Sequence, residues 1–133
     1  MKKNELVKLI ESVKADKDEF VILSSGALVL RGILDEAQDL DIAVTRKGLE
    51  QLSKNYELKR KPNGFYTVTN MIECVEDEMI EKREKIGKYY LQDIFDYLDF
   101  IENSDREKDK ERVELVKKYI IKNNYVRKNK VRK

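Results

Sequence analysis

The stretch FVILSSGALVLRGILDEAQDLDIAV at residues 20–44 contains two segments of strand character separated by a short helical one. Residues 20–23 form an apolar run of strand length, which ends at two serines and a glycine. Residues 27–34 are compatible with a short helix. Residues 39–45 alternate between apolar and polar side chains, as a half-buried strand does. The order strand, helix, strand predicts a sheet covered by helices.

Sequence patterns on both sides of this stretch predict further helices and strands. A Lys-Pro-Asn-Gly turn at residues 61–64 predicts a hairpin, and Ser104 with Glu107 predicts a capping box that opens the last helix. We therefore expect an α/β (α+β) fold with a mixed sheet, flanking helices and a helical C-terminal part from about residue 78. The further predicted elements are helices over 4–15, 47–55 and 90–103, with Thr45 as the cap of the second, and strands over 56–59 and 65–75.

Length and composition narrow the class of protein. The chain has 133 residues, 41% of them charged, and one cysteine, Cys74, so an internal disulfide is excluded and a reducing cytoplasm is expected. The absence of histidine removes the commonest general base and most transition-metal sites. No apolar run has the length of a membrane span or of a signal peptide core, so we expect no membrane association. Residues 1–122 are predicted to form one domain.

A basic tail at residues 123–133 is predicted to follow that domain. Residues 117–133 carry eight basic side chains and no acidic one, so the rest of the chain has a negative net charge. One interpretation is a solvated, frayed terminus. The other is a contact to nucleic acid or another polyanion, because clustered lysine and arginine neutralise phosphates.

Two Asp-x-Asp pairs occur, and their contexts differ. Asp16 and Asp18 flank a lysine in a charged turn, where nothing orients them. Asp39 and Asp41 lie in an alternating strand, so both carboxylates project from one face, roughly 6–7 Å apart. Two carboxylates held side by side repel each other unless a cation lies nearby. Oxygen ligands of this kind favour Mg²⁺ or Mn²⁺.

The segment before this pair predicts an anion site. A tight turn from strand into helix at Ser24, Ser25 and Gly26 exposes backbone N–H groups, and a serine hydroxyl adds a further donor to a phosphate oxygen. Small residues allow a phosphate to approach the backbone closely. The turn and the aspartates together predict phosphate chemistry with a divalent cation.

These residues resemble the nucleotidyltransferase superfamily, which has the fold of DNA polymerase beta, and in particular its small bacterial branch of AbiEii-type toxins and minimal nucleotidyltransferases. In that branch two small residues, an alanine, and a glycine seven residues before Asp-x-Asp form the signature. Ser24 and Ser25 stand at the small positions, Ala27 matches the alanine, and Gly32 precedes Asp39 by seven. The segment 106–109 also resembles the Arg-x-Lys-Asp motif of the helical part of such proteins.

The resemblance implies transfer of a nucleoside monophosphate from an NTP such as ATP to an acceptor hydroxyl on RNA, protein or a small molecule, including roles in toxin–antitoxin systems. Asp39 and Asp41 would be the catalytic metal ligands for Mg²⁺ or Mn²⁺. A third carboxylate usually comes from a neighbouring strand, and Glu73 is the candidate, with Asp77 as the alternative. The remaining site residues are the predicted phosphate ligands Ser24, Ser25, Gly26 and Lys108.

Several alternatives stay open at the level of sequence. Lys108 and Arg106 are equally explained by ion pairs at a helix start. Tyr89, Tyr90 and Tyr97 suit base stacking or, more commonly, a core. The Asp39 and Asp41 pair favours an enzyme, whereas the short chain favours a catalytically inactive binding protein of the same fold. A homodimer or a partner chain would reconcile the two.

Overall fold

The computed structural model describes residues 1–77 and 82–127. Two compact units divide the chain, residues 1–92 and residues 93–133. The boundary between the units, after residue 92, falls inside the predicted domain over 1–122, whose unity stays a prediction. The helices are α1 (Lys3–Ser12), α2 (Ser24–Leu30), α3 (Arg46–Asn55), α4 (Ile94–Glu102) and α5 (Glu107–Lys122), with a 3₁₀ turn at Lys17–Glu19.

The first unit is built on a mixed sheet, as predicted. Among the described residues seven strands form this sheet, in the order β3-β4-β5-β2-β1-β7-β6. The pairs β2–β5 and β1–β7 are parallel and the other four are antiparallel. The strands are β1 (Phe20–Ile22), β2 (Leu40–Val44), β3 (Lys59–Arg60), β4 (Tyr66–Thr69), β5 (Ile72–Glu76), β6 (Glu84–Ile86) and β7 (Tyr89–Leu91).

One face of the central strands carries the core of this unit. Leu40, Ile42 and Val44 of β2 are fully buried, as the strand alternation predicts. Their neighbours in the core come from β1, β5 and β7 and from α1 and α3, including Phe20, Ile22, Leu6, Ile10, Leu52, Ile72, Cys74 and Leu91. Burial of this face fixes the register of β2, because a slip by one residue would turn Asp41 into the core.

The helix after β1 starts earlier and ends earlier than predicted. The sequence predicts residues 27–34, but α2 covers Ser24–Leu30. Its end is a Schellman motif, in which Gly32 N–H donates to Val29 O at 3.0 Å and Ile33 N–H donates to Leu28 O at 2.8 Å. Gly32 has a φ of +83°. The glycine therefore ends the helix instead of lying within it.

Other predicted elements are confirmed or corrected by the structure. Thr45 caps α3, since its Oγ1 accepts a hydrogen bond from Gly48 N–H at 3.0 Å. The predicted strand over 65–75 is divided into β4 and β5, which turn back on each other at Asn70 and Met71. The prediction of helix from about residue 78 is wrong for residues 84–91, which form β6 and β7 as an antiparallel pair. Residues 78–81 lie outside the described part of the chain.

The second unit contains α4 and α5. The predicted capping box is wrong, because Arg106, not Ser104, is the N-cap of α5. The side chain of Ser104 instead donates a hydrogen bond to Asp109 Oδ2 at 2.6 Å. Arg112 of α5 donates to the hydroxyl of Tyr97 in α4 at 3.1 Å. None of the helices within the described residues is long and apolar enough to cross a membrane.

Candidate functional site

Asp41 and Glu73 are neighbours across two parallel strands. In the register of β2 and β5, Asp41 pairs with Glu73, and the adjacent pairs are Leu40 with Ile72 and Ile42 with Cys74. Paired residues on neighbouring strands project to the same face, about 5 Å apart at the backbone. The apolar pairs on either side are buried, so Asp41 and Glu73 project to the opposite face, where both are half-buried. The structure thus places the predicted third carboxylate beside the Asp-x-Asp pair.

The carboxylates affect one another electrostatically. Burial, followed by the negative charges of Asp39 and Glu73, raises the pKa of Asp41 to about 6, although the charge of Lys61 acts to lower it. Asp39 itself is exposed and lies just before β2, which begins at Leu40 and not at Asp39 as the sequence predicts. A carboxyl group whose pKa is raised by burial and by two like charges is typical of functional sites, and it gains from a nearby cation.

Lys61 is the residue of this region that the sequence analysis missed. Its Nζ lies 2.6 Å from Glu73 Oε2. The hairpin turn at residues 61–64 was visible in the sequence, but the partner of its lysine is set by the pairing of β4 with β5, which brings Glu73 next to the turn. Sequence alone provided no signal for this ion pair.

Asp77, the alternative third carboxylate, lies at the other end of β5. Its N–H donates to Val44 O at 2.8 Å, beside the C-terminal end of β2. Four residues of extended chain separate it from Glu73, which corresponds to about 13 Å. Asp77 is therefore not a neighbour of Asp41, and Glu73 is the better candidate.

The predicted phosphate turn begins beside Asp41. Leu23 N–H donates to Asp41 O at 2.9 Å, so the chain enters α2 directly alongside the aspartate. Ser24 has a φ of +50°, an uncommon conformation for a residue with a side chain. Its N–H donates to Gln92 Oε1 at 3.0 Å. The turn is thus held by a side chain from the end of the last strand.

Gly26 has a packing role in the structure. A Cβ atom at this position would lie 3.1 Å from Ile22 Cγ2 and 3.7 Å from Leu40 Cδ1, so its missing side chain faces the core. Close packing of α2 on β1 and β2 is sufficient to explain the glycine. Its contact with a phosphate stays a prediction, and such a contact would be made by the backbone N–H of Gly26.

A buried arginine, which no sequence motif indicated, lies close to the same turn. The side chain of Arg31 is fully buried, and its Nη2 lies 2.9 Å from Glu84 Oε1. The same nitrogen donates to Gln92 O at 3.0 Å. Gln92 therefore connects Arg31 to Ser24 through its backbone oxygen and its side chain. Arginine is seldom buried without a paired acid, and Glu84 supplies that acid here.

The Arg-x-Lys-Asp segment lies in the second unit. Lys108, a predicted phosphate ligand, is exposed on α5. Asp109 is fully buried and accepts hydrogen bonds from Ser104 Oγ and from Arg106 Nε, the latter at 2.9 Å. Burial acts to raise the pKa of Asp109, but these hydrogen bonds and the charge of Arg106 outweigh it, and the net pKa is lowered. The ion pair at the helix start, one of the two open interpretations, is observed for Arg106.

The structure bears on the open interpretations of the tyrosines and of the basic tail. Tyr89 and Tyr97 are buried, which favours the core interpretation for both, whereas Tyr90 lies under the guanidinium of Arg83, 3.8 Å from its ring centre. In the predicted tail, Arg127 forms a two-point ion pair with Asp99, at 3.0 and 3.1 Å. The tail is therefore folded back at Arg127 rather than frayed there. Residues 128–133 lie outside the described part of the chain.

The chemistry of these side chains fits a divalent cation, although their present arrangement does not form a closed site. Asp39, Asp41 and Glu73 offer carboxylate oxygens, the ligands that Mg²⁺ and Mn²⁺ prefer. Within residues 1–77 and 82–127, no three or more Asp, Glu or Cys side chains are arranged to hold a metal ion. The bond from Lys61 to Glu73 Oε2 accounts for one of the oxygens that such a site would need.

Comparisons with known proteins do not assign a family. No protein-family model matches the sequence, and no curated protein matches it.

Proposed function

We propose that this protein is a metal-dependent nucleotidyltransferase that moves a nucleoside monophosphate from an NTP to an acceptor hydroxyl. The observation that carries the proposal is the pairing of Asp41 with Glu73 across parallel strands, with Asp39 close enough to raise the pKa of Asp41. Three carboxylates are held together near the start of two strands, and the pKa of Asp41 stays raised despite the charge of Lys61, so a bound cation would stabilise the group. The resemblance of residues 24–41 to the nucleotidyltransferase signature supports the same reaction.

The proposed roles follow from the positions of the side chains. Asp39, Asp41 and Glu73 would hold the cations, which when bound activate the attacking hydroxyl and neutralise charge on the triphosphate. The turn at Ser24, Ser25 and Gly26, which starts beside Asp41, would contact the phosphates through its N–H groups. The N–H of Ser24 already donates to Gln92, so those of Ser25 and Gly26 are the better donors.

The direct test is incorporation of label from each α-labelled NTP, with Mg²⁺ or Mn²⁺, into RNA, protein or small hydroxyl compounds. The chain offers a matched control for the mutations. Asp39→Asn/Asp41→Asn removes the proposed ligands, and Asp16→Asn/Asp18→Asn removes two aspartates with the same spacing from an exposed turn. We expect the first variant alone to lose transfer and metal-dependent NTP binding. A wild-type protein that binds neither NTP nor Mn²⁺ contradicts the proposal.

A second candidate is a protein of the same fold that binds a partner without catalysis. The observation that favours it is the ion pair between Lys61 and Glu73, which neutralises a carboxylate that catalysis would need. Under this interpretation Mn²⁺ would have no measurable effect on the thermal stability of the wild-type protein. The two candidates are therefore separated by metal binding before any acceptor is known.

A further inference from the structure

The backbone around Lys61 is fixed by the hairpin turn. Lys61 N–H donates to Phe65 O at 2.7 Å, and Gly64 N–H donates back to Lys61 O at 3.0 Å. Asn63 Oδ1 also accepts a hydrogen bond from Phe65 N–H at 3.0 Å. Gly64 has a φ of +92°, a conformation that favours glycine. Because hydrogen bonds close the turn, the Cα atom of Lys61 is held in a defined position. From there its side chain extends to the edge of the cluster formed by Asp39, Asp41 and Glu73.

The ammonium group of Lys61 is directed at the carboxylates. Its Nζ lies 2.6 Å from Glu73 Oε2, and the two side chains are only 38% and 31% exposed. Screening by water is weaker for such a pair than for a fully exposed one. The charge of Lys61 also acts on Asp41, whose pKa it lowers. The positive charge of Lys61 thus offsets the negative charge of two of the three proposed metal ligands, Glu73 and Asp41.

We propose that Lys61 is an internal counter-ion of the carboxylates Asp39, Asp41 and Glu73, and that its ammonium group must leave Glu73 before a divalent cation binds there. This inference rests on the proposed function, since it assumes that the three carboxylates are metal ligands. It adds a regulatory step to that function. Binding of the cation and the bond between Lys61 and Glu73 exclude each other, so the side chain of Lys61 changes its contacts when the site fills, while the backbone of the turn stays fixed.

Two physical effects act in the same direction. The ammonium group and the cation compete for Glu73 Oε2, and a positive charge a few ångströms away repels a dication. Removal of the ammonium group should therefore strengthen cation binding by about tenfold, an estimate for charges near a protein surface. If Lys61 instead contacted a phosphate in the bound state, its removal would weaken NTP binding and leave Mn²⁺ binding without nucleotide unchanged.

The test compares Lys61→Met with Lys54→Met, which removes the same charge from the exposed end of α3. Free Mn²⁺ is measured by electron paramagnetic resonance during titration of the full chain without nucleotide. We expect about tenfold tighter binding for Lys61→Met and no change for Lys54→Met. Lys61→Gln, which keeps a polar side chain, should bind Mn²⁺ as tightly as Lys61→Met and guards against misfolding of the apolar variant.

A second measurement follows the lysine itself. Acylation of lysines by an amine-reactive reagent is read by mass spectrometry with and without Mg²⁺. We expect Lys61 to be modified several-fold faster when Mg²⁺ is present, because its ammonium group has left Glu73, and Lys54 to be modified at the same rate.

The outcomes separate this inference from the proposed function. Equal Mn²⁺ binding by the wild type and by both Lys61 variants overturns the counter-ion role and leaves the metal site standing. Weaker binding by the Lys61 variants also overturns it. Absence of Mn²⁺ binding in the wild type and in every variant overturns both proposals.

Discussion

Asp41 and Glu73 lie opposite each other on the parallel strands β2 and β5, although they are 32 positions apart in the sequence. Their apolar neighbours on the same strands are buried on the other face of the sheet, and this burial holds the two carboxylates in place. The sheet therefore positions like charges side by side, at a cost that depends on whether Asp41 carries a proton.

This cost predicts how stability varies with pH. The pKa of Asp41 is about 6 in the folded protein, above its usual value near 3.9. The folded state therefore holds this proton more tightly than the unfolded state, and the contribution of Asp41 to the free energy of unfolding falls as the pH rises from about 4 to 6. Asp41→Asn should remove that fall and stabilise the protein at pH 7.5 by about 1 kcal/mol. Urea unfolding at several pH values measures it.

The control for this prediction is Asp18→Asn, which removes an exposed aspartate from the other Asp-x-Asp pair. We expect the pH dependence of this variant to match that of the wild type. An Asp41→Asn protein that is less stable than the wild type at pH 7.5 would show that repulsion between the carboxylates does not destabilise the folded protein.

Gly48 provides a test of close packing on α3. Helix propensity alone predicts that Gly48→Ala stabilises the protein by about 1 kcal/mol. In the structure the added Cβ would lie 2.7 Å from Glu19 O and 3.3 Å from Val44 Cβ. Because backbone must move to relieve such a contact, we expect destabilisation by about 1–3 kcal/mol. Thermal and urea unfolding measure the sign directly.

The comparison for Gly48 is Ser53→Ala, an exposed position of the same helix. It should be neutral or slightly stabilising, as helix propensity predicts. A stabilising Gly48→Ala substitution would mean that α3 does not approach Glu19 as closely as described.

The buried side chain of Arg31 predicts a strong dependence on Glu84. Glu84→Gln removes the carboxylate that lies 2.9 Å from Arg31 Nη2 and leaves a buried positive charge with less compensation. We expect a loss of about 3 kcal/mol, whereas Arg31→Met/Glu84→Gln should lose less, because the double variant buries no charge. A double-mutant cycle by chemical denaturation measures the coupling. Additive losses from Arg31→Met and Glu84→Gln would contradict it.

Asp109 predicts an acid-sensitive contact in the second unit. Its lowered pKa means that the ionised form is stabilised by folding, and this stability is present above about pH 4 and is lost as the pH falls through the folded pKa. Asp109→Asn should destabilise the protein at pH 7 by about 1–3 kcal/mol, since the charged hydrogen bonds to Ser104 and Arg106 are lost. Unfolding followed by circular dichroism measures the loss.

The neighbouring substitution Asp105→Asn is the control, because Asp105 is exposed. It should change stability by less than about 0.5 kcal/mol. Equal effects of the two substitutions would assign the loss to the net charge of the helix start and not to the buried carboxylate.

Local pattern in the sequence was sufficient for several elements. Alternation identified β2, because a half-buried strand must present one apolar face, and a short continuous apolar run identified β1, which is buried at every residue. Thr45 identified the start of α3, because its hydroxyl accepts a bond from the first turn. The mixed sheet with flanking helices followed from these elements.

Other features were misread because they depend on contacts that are distant in sequence. The short strands β6 and β7 have no helical or strand period long enough to distinguish, and they exist because β7 pairs with β1. The capping box, by contrast, was misread for a local reason, because the hydroxyl of Ser104 donates to Asp109 only five residues later in the chain.

The sequence by itself predicted that Asp39 and Asp41 share one face of a strand, because alternate residues of an extended chain project to the same side. In the structure β2 begins at Leu40, so Asp41 lies in the strand and Asp39 precedes it. Only the tertiary structure decided which third carboxylate lies beside Asp41 and which positively charged side chain contacts that carboxylate. The parallel register brings Glu73 beside Asp41 and leaves Asp77 at the far end of β5. The hairpin then places Lys61 against Glu73. The register of β2 and β5 is set by burial of the opposite face, and no local pattern encodes it.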